Sequence, residues 1–258
     1  MKKIFFCFSI LILTLLSCKH SSSYQKKTLL FSDDGTQNWT QNWMLDGTKS
    51  KVVNSKKGME LIAGPEHGND TCHTVLWTKK SFKGNICIEY DYTKTDTTSR
   101  CVNILYFHTT GKGTEEYPTD ISLWNNKRTV PHMKTYFNNI HTYHISYAAF
   151  SAKEYSGDHD YIRLRRYNPT QIGLQNTDVP GDHFNTGLFK TNLTYHIQVF
   201  KYKSQIEMHI QNKQDTADQK ICKWDVSEFA DCNYGRVGLR HMYTRSARYK
   251  NFKIWQLE

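Results

Sequence analysis

Residues 86–92 read Ile-Cys-Ile-Glu-Tyr-Asp-Tyr, and residues 102–108 read Val-Asn-Ile-Leu-Tyr-Phe-His. In the first, Ile86, Ile88, Tyr90 and Tyr92 alternate with Cys87, Glu89 and Asp91. In the second, Val102, Ile104, Tyr106 and His108 alternate with Asn103, Leu105 and Phe107. A period of two is the period of a β-strand, whose successive side chains point to opposite faces. Working outward, similar short runs recur: 29–31, 59–62, 73–77, 143–150, 161–167, 195–202, 206–210, 221–226, 236–243 and 248–256. The turn between 202 and 206 falls at Lys203-Ser204, which predicts a hairpin. The aromatic share of 14%, with 16 Tyr and 13 Phe, suits pleated surfaces. Helical periodicity is nearly absent, apart from a helical turn expected near Ser227 to Phe229. Many short strands in series imply one all-β domain, a sandwich or a barrel, and 258 residues is an ordinary size for it. The stretch Thr109–Ile140 is polar, lacks a strand pattern and contains Trp124, Pro118 and Pro131. Such a long loop in a compact domain is usually functional.

The N-terminus reads differently. Lys2 and Lys3 precede the apolar run Ile4–Leu16, which ends Leu15-Leu16-Ser17-Cys18. That order of charge, apolar run and small-residue site is that of a signal peptide over residues 1–17. Leu-Leu-Ser-Cys resembles a lipobox, so Cys18 is the expected lipidation site, with residues 18–28 as a tether and 29–258 as the folded domain. The protein is thus expected to be a cell-envelope lipoprotein, periplasm-facing on the outer membrane of a Gram-negative bacterium. The membrane would be engaged through the lipid alone, because no later stretch is apolar enough to span it.

The chain carries 34 basic and 24 acidic residues, a net +10. Without Lys2 and Lys3, 32 basic residues face 24 acidic, a balance of +8. For an exported protein, a nucleic-acid partner is excluded and an acidic polysaccharide or oligosaccharide is the expected one. Five cysteines follow Cys18, at 72, 87, 101, 222 and 232. An odd number leaves at least one thiol unpaired, and no Cys-x-x-Cys pair argues for zinc. No cofactor or metal is expected. A structural calcium is compatible with a sandwich, but no ligand spacing argues for one.

Alternation also sorts the chemistry. In 161–167, Tyr161, Arg163, Arg165 and Tyr167 share one face, while Ile162 and Leu164 begin the core face. Planar guanidinium groups beside tyrosines suit carboxylate recognition. In 143–150, His144 and Ser146 oppose Tyr143, Ile145 and Tyr147, and alternation leaves open which face is exposed. Histidine and tyrosine are acid–base groups. Ser-elbow, His-Glu-x-x-His and strand-borne paired-acid motifs are absent from the sequence. Glu115-Glu116 are adjacent in the long loop.

Several segments taken together resemble the YesU-like family of bacterial proteins. They are Tyr143-His144-Ile145-Ser146-Tyr147, Leu164-Arg165-Arg166, Gly238-Leu239-Arg240-His241-Met242 and Tyr249-Lys250-Asn251-Phe252, with His73–Trp77 and the loop from Phe107 to Glu116. The resemblance runs from about residue 58 to 254. It implies a concanavalin A-like or galectin-like jelly roll and an association with degradation of acidic polysaccharides. The chain departs from the family at Gly113-Thr114-Glu115-Glu116 and at Arg166-Tyr167-Asn168-Pro169. The expected activity is a polysaccharide lyase cleaving a uronic-acid glycan by β-elimination. Arg165, with Arg163, would neutralise the uronate. His144 or His108 would be the base, and Tyr147 the acid. Trp77, Trp124 and Tyr167 would stack on sugars, with His73, Asn168, Arg240 and Glu115 completing the binding residues. The alternatives are a non-catalytic glycan-binding lipoprotein and a hydrolase using Glu115 or Glu116 with Asp120.

Overall fold

A computed structural model describes residues 24–150, 160–170 and 173–258. The signal segment 1–17 and Cys18 lie outside the described residues. In chain order the strands are β1 (Lys26–Asp33), β2 (Trp43–Asp46), β3 (Lys51–Ser55), β4 (Gly58–Ile62), β5 (Thr74–Lys83), β6 (Ile86–Lys94), β7 (Cys101–Gly111) and β8 (Ile140–Phe150). They continue with β9 (Asp160–Tyr167), β10 (His183–Phe184), β11 (Thr194–Tyr202), β12 (Gln205–Asn212), β13 (Gln219–Asp225), β14 (Tyr234–His241) and β15 (Ser246–Leu257). An eight-stranded sheet runs β13-β12-β11-β6-β15-β4-β3, with β1 also paired to β15; a seven-stranded sheet runs β10-β9-β8-β7-β14-β5-β2. Every pairing is antiparallel. The two sheets pack as a concanavalin A-like, galectin-like jelly roll.

The alternation that identified β6 and β7 decides what faces inward. Ile86, Ile88, Tyr90 and Tyr92 from β6 meet Leu105 and Phe107 from β7 in the core between the sheets. Trp43 and Phe252 pack edge to face at 5.1 Å, and Tyr90 stacks on Phe252 at 5.3 Å. Each fully buried large apolar side chain contributes about 1.5–3 kcal/mol of transfer free energy. The predicted hairpin is present, with Tyr202 opposite Gln205 and Lys203 at φ 51° in the turn. All five described cysteines are free and buried, acting as small apolar side chains. Burial pushes the Cys87 thiol up to about 12.

Some expectations are corrected. Strand β1 starts at Lys26, inside the expected tether. Strands β2 and β3 were not legible: β2 is four residues long, and β3 is an edge strand. Ser227–Phe229 forms only a turn, closed by Phe229 N–H on the Val226 carbonyl at 3.0 Å. The stretch 109–140 is no open loop. It contains an irregular 3-10 segment, Ile121–Arg128, and a seven-residue helix α1, Met133–Asn139. A helix this short stands only through tertiary packing, and its buried Tyr136 supplies it.

Candidate functional site

The outer face of the seven-stranded sheet carries two transverse rows. Trp77, Gly238, Tyr106, His144 and Arg165 are successive cross-strand partners on β5, β14, β7, β8 and β9. Val75, Arg240, Ile104, Ser146 and Arg163 form the adjacent row on the same strands. With strands about 4.8 Å apart, each row spans roughly 19 Å.

The Trp77 end is built around a glycine. A Cβ on Gly238 would lie 2.4 Å from the Trp77 ring, so the indole lies flat over this residue. Trp77 then stacks on Tyr106 at 5.4 Å, and Tyr136 of α1 stacks on Tyr106 at 6.1 Å. Gly238→Ala is expected to force the indole off this position and cost about 1–3 kcal/mol by overpacking, read as a lowered denaturant midpoint.

Asp46, at the end of β2, holds the covering segment down. Its carboxylate accepts from Trp77 Nε1 at 2.7 Å, Arg128 Nε at 2.6 Å, Tyr136 Oη at 2.8 Å and Asn125 Nδ2 at 2.6 Å. Three of these donors belong to residues 121–139. The Arg128 and Asp46 side chains are 1% and 0% exposed. Asp46→Ala would leave the Arg128 guanidinium buried and uncompensated. The expected cost is about 3–5 kcal/mol, with lost ordering of 121–139 seen by hydrogen exchange.

At the other end His144 is fixed from both ring nitrogens: Nδ1 lies 2.6 Å from Tyr167 Oη and Nε2 lies 2.8 Å from Ser146 Oγ. Burial, then the charges of Arg165, Arg240 and Arg163, hold the imidazole well below its ordinary range, so it is neutral at pH 7. Burial raises Tyr167 and Tyr106 above ten, so both hydroxyls keep their protons. Arg163 pairs with Asp182, and Arg165 pairs with Asp178 at 2.9 Å. Both guanidiniums are partly exposed at the rim. Arg240, fully buried on β14, donates from Nη2 to His73 Nδ1 at 3.1 Å and to the Pro131 carbonyl at 2.5 Å. Its guanidinium lies 4.5 Å from the Tyr136 ring centre.

The structure therefore brings together His144, Tyr167, Arg163, Arg165, Trp77, His73 and Arg240. It separates others. Tyr147 projects into the core from the opposite face of β8, with its hydroxyl 3.2 Å from that of Tyr249, so it cannot act beside His144. His108 sits at a register shift in β7 with φ 52°, which breaks the alternation that had aligned it with Tyr106. It is buried, with Nδ1 3.0 Å from the Cys232 carbonyl, and is no base for this site. Trp77, Trp124 and Tyr167 are buried under or within the covering segment and offer no free ring face for stacking. Asn168 is half-buried just past β9 and lines a separate cleft of about 670 Å³ with Asn176, Asp178 and Phe229. Glu115 is exposed in the loop. Glu116 is held low by Lys127 at 3.0 Å. Asp120 binds Arg236 at 2.9 Å, and its carboxyl is lowered by Ser122 and Arg236. Glu116 and Asp120 thus lack the raised pKa a glycosidase acid needs.

Sequence reasoning missed Asp46, Tyr106, Ser146 and Tyr136. Tyr106 and Ser146 were within reach, since alternation puts Ser146 on the face of His144. Asp46 had no signal: it is one acid ending a four-residue strand. Among the described residues, no three His, Cys, Asp or Glu side chains group to hold a metal ion. No described helix is long and apolar enough to cross a membrane.

Solved structures share this architecture. A galectin-like-fold protein of unknown function from Bacillus subtilis aligns with TM-score 0.64 at 15% identity, over 91% of this chain and 98% of its own. Lectin II from Ulex europaeus aligns with TM-score 0.55 at 8% identity, over 90% and 99%. The exoplasmic/lumenal domain of VIP36, bound to Ca²⁺ and Man3GlcNAc, aligns with TM-score 0.54 at 10% identity, over 85% of each chain. At these identities the likeness is one of fold. The comparison with curated proteins matches none. Residues 29–254 match the family described as a domain of unknown function, DUF1961, and the chain belongs to that family.

Proposed function

We propose that this protein acts on a uronic-acid-containing glycan at the outer face of the seven-stranded sheet, cleaving it by β-elimination. One observation carries the reading: a neutral, doubly hydrogen-bonded His144 sits beside Tyr167 under the charge of three arginines. β-Elimination needs a neutralised carboxylate, a base for the C5 proton and an acid for the leaving oxygen. With Nδ1–H donated to Tyr167 Oη, His144 Nε2 is the base and the Tyr167 hydroxyl proton is free for the leaving group. Positive groups aimed at the developing enediolate supply the largest rate term. The fold is one that VIP36 and the Ulex lectin share, and the net charge of +10 favours an anionic glycan. The resemblance to the YesU-like family and the Cys18 lipobox agree with an envelope lipoprotein in polysaccharide degradation.

His144 is only 3% exposed, so the segment 121–139 has to lift for substrate to reach it. That burial, with Arg163 and Arg165 partly open at the rim, favours a second reading in which the face binds acidic glycan without cleaving it. The test is incubation with acidic and neutral polysaccharides, following the ultraviolet absorbance of unsaturated uronates and the reducing ends together. A rise in both supports the lyase. Reducing ends alone would overturn elimination. Retardation in a glycan-containing gel without product would leave the binding reading standing.

A further inference from the structure

Arg240 stands apart from the other buried arginines. Arg128 holds Asp46, Arg245 holds Asp96 at 3.1 Å and Arg236 holds Asp120. Arg166 spends all three nitrogens on the carbonyls of Ala230, Tyr167 and Asp231. Arg240 is 0% exposed, uses only Nη2, and has no carboxylate at ion-pair distance among the described residues. Its Nε and Nη1 have no hydrogen-bond partner among the described residues, and neither do Tyr106 Oη and His73 Nε2. A buried guanidinium without a counter-charge is costly, by several kcal/mol.

These unmet groups share one chemistry. A guanidinium and a tyrosine hydroxyl both donate, and His73 Nδ1 lies within reach of Arg240 Nη2 at 3.1 Å and of the Pro131 carbonyl at 3.3 Å. The ring stays neutral because burial and Arg240 hold it at about 4. Arg240 Nε and Nη1 and the Tyr106 hydroxyl are thus all donors, with one formal positive charge among them. Tyr106 adjoins His144 and Arg240: its ring is 5.4 Å from that of His144, and Arg240 lowers its hydroxyl pKa against the effect of burial. A cleft of about 850 Å³, lined by Asp70, His132, Met133 and Phe137, opens on the outside of this wall. Asp70 Oδ1 lies 3.5 Å from His73 Nδ1, and Phe137 packs edge to face on Tyr167 at 6.4 Å.

We infer that Arg240, with Tyr106 and His73, is the seat of a single ligand carboxylate, and so selects a uronate over the neutral sugar of the same shape. This rests on the glycan reading above and assigns the carboxylate to Arg240 rather than to Arg163 or Arg165, which already hold Asp182 and Asp178. Such a ligand takes the place of Tyr136 over Tyr106 as residues 121–139 lift, with C5 toward His144.

Calorimetric titration of the full chain with galacturonate and glucuronate, against galactose, glucose and inorganic sulfate, tests this. A uronate is expected to bind at least about a hundredfold tighter than its neutral hexose, since the hexose leaves the donors unmet. Tyr106→Phe keeps the ring and removes one donor, and is expected to weaken uronate binding about tenfold. Arg240→Gln is expected to abolish the preference; should it fail to fold, the Tyr106→Phe arm decides. Equal binding of uronate and hexose, sulfate preferred to uronate, or unchanged uronate affinity in the Tyr106→Phe and folded Arg240→Gln proteins would overturn the assignment. If the wild-type chain cleaves uronate glycans and folded Arg240→Gln retains the uronate preference, the assignment fails and the lyase reading stands. If no uronate, free or polymeric, is bound or cleaved, both fail.

Discussion

Acidification from pH 7 to pH 5 is expected to unfold this protein cooperatively. Four histidines are buried and neutral in the fold: His73, His108, His144 and His241. Burial is the leading cause at each, lowering His73 to about 4, His108 and His241 to about 3, and His144 well below its ordinary value. In the unfolded chain each titrates near 6.5. Between that value and the folded one, the unfolded state binds a proton that the folded state does not. Stability is therefore full above pH 6.5 and is lost as pH falls toward 4. Each group contributes a slope of about 1.4 kcal/mol per pH unit, and four give about 5.6 kcal/mol per unit. Against a typical total of about 5–15 kcal/mol, one to two units are enough. The depressed carboxyls, Asp91 and Asp96 among them, add their loss only at lower pH. Circular dichroism against pH reads the transition. A fold with an unchanged melting temperature down to pH 4 would refute the neutral burial of these rings. His241→Gln should reduce the slope by about a quarter.

His144→Gln is expected to lower turnover on an acidic glycan by about 10²- to 10⁴-fold with little change in KM, the range for losing a positioned general base. Glutamine keeps hydrogen-bonding capacity toward Ser146 and Tyr167, so the fold should persist. Tyr167→Phe should also lower turnover, and the double variant should be no slower than the worse single one, because the two act as one proton-handling unit. A His144→Gln protein that turns over at the wild-type rate would remove His144 from the chemistry, whatever its neighbours do.

The sandwich was legible because β6 and β7 alternate, and one set of alternating side chains from each lines the core between the sheets. Period two survives wherever a core lies on one side. It failed locally at His108, where a bulge rotates one residue out of register, and alternation alone could not say that Tyr147 faces the core. Arg163 and Arg165 were correctly placed on the face away from Ile162 and Leu164. Their freedom was overestimated, because nothing in the sequence tells that Asp182 and Asp178 pair with them, or that residues 121–139 fold back over Trp77 and Tyr106. That return is fixed by Asp46, an acid some 80 residues from its donors Arg128 and Tyr136. Such a contact leaves no local pattern. The Arg240 site was legible only through family resemblance. Its significance comes from what it lacks: a partner for Nε and Nη1, and a carboxylate at ion-pair distance among the described residues.

The most direct test of the central claim is a crystal structure of the His144→Gln protein soaked with an acidic oligosaccharide. The expected result is a sugar ring over Tyr106, its C5 facing residue 144 and its carboxylate on Arg240, with residues 121–139 displaced from their contact with Asp46. An oligosaccharide seated instead in the cleft between Asn168 and Phe229, or on the eight-stranded sheet, would contradict the claim that this face is the functional site.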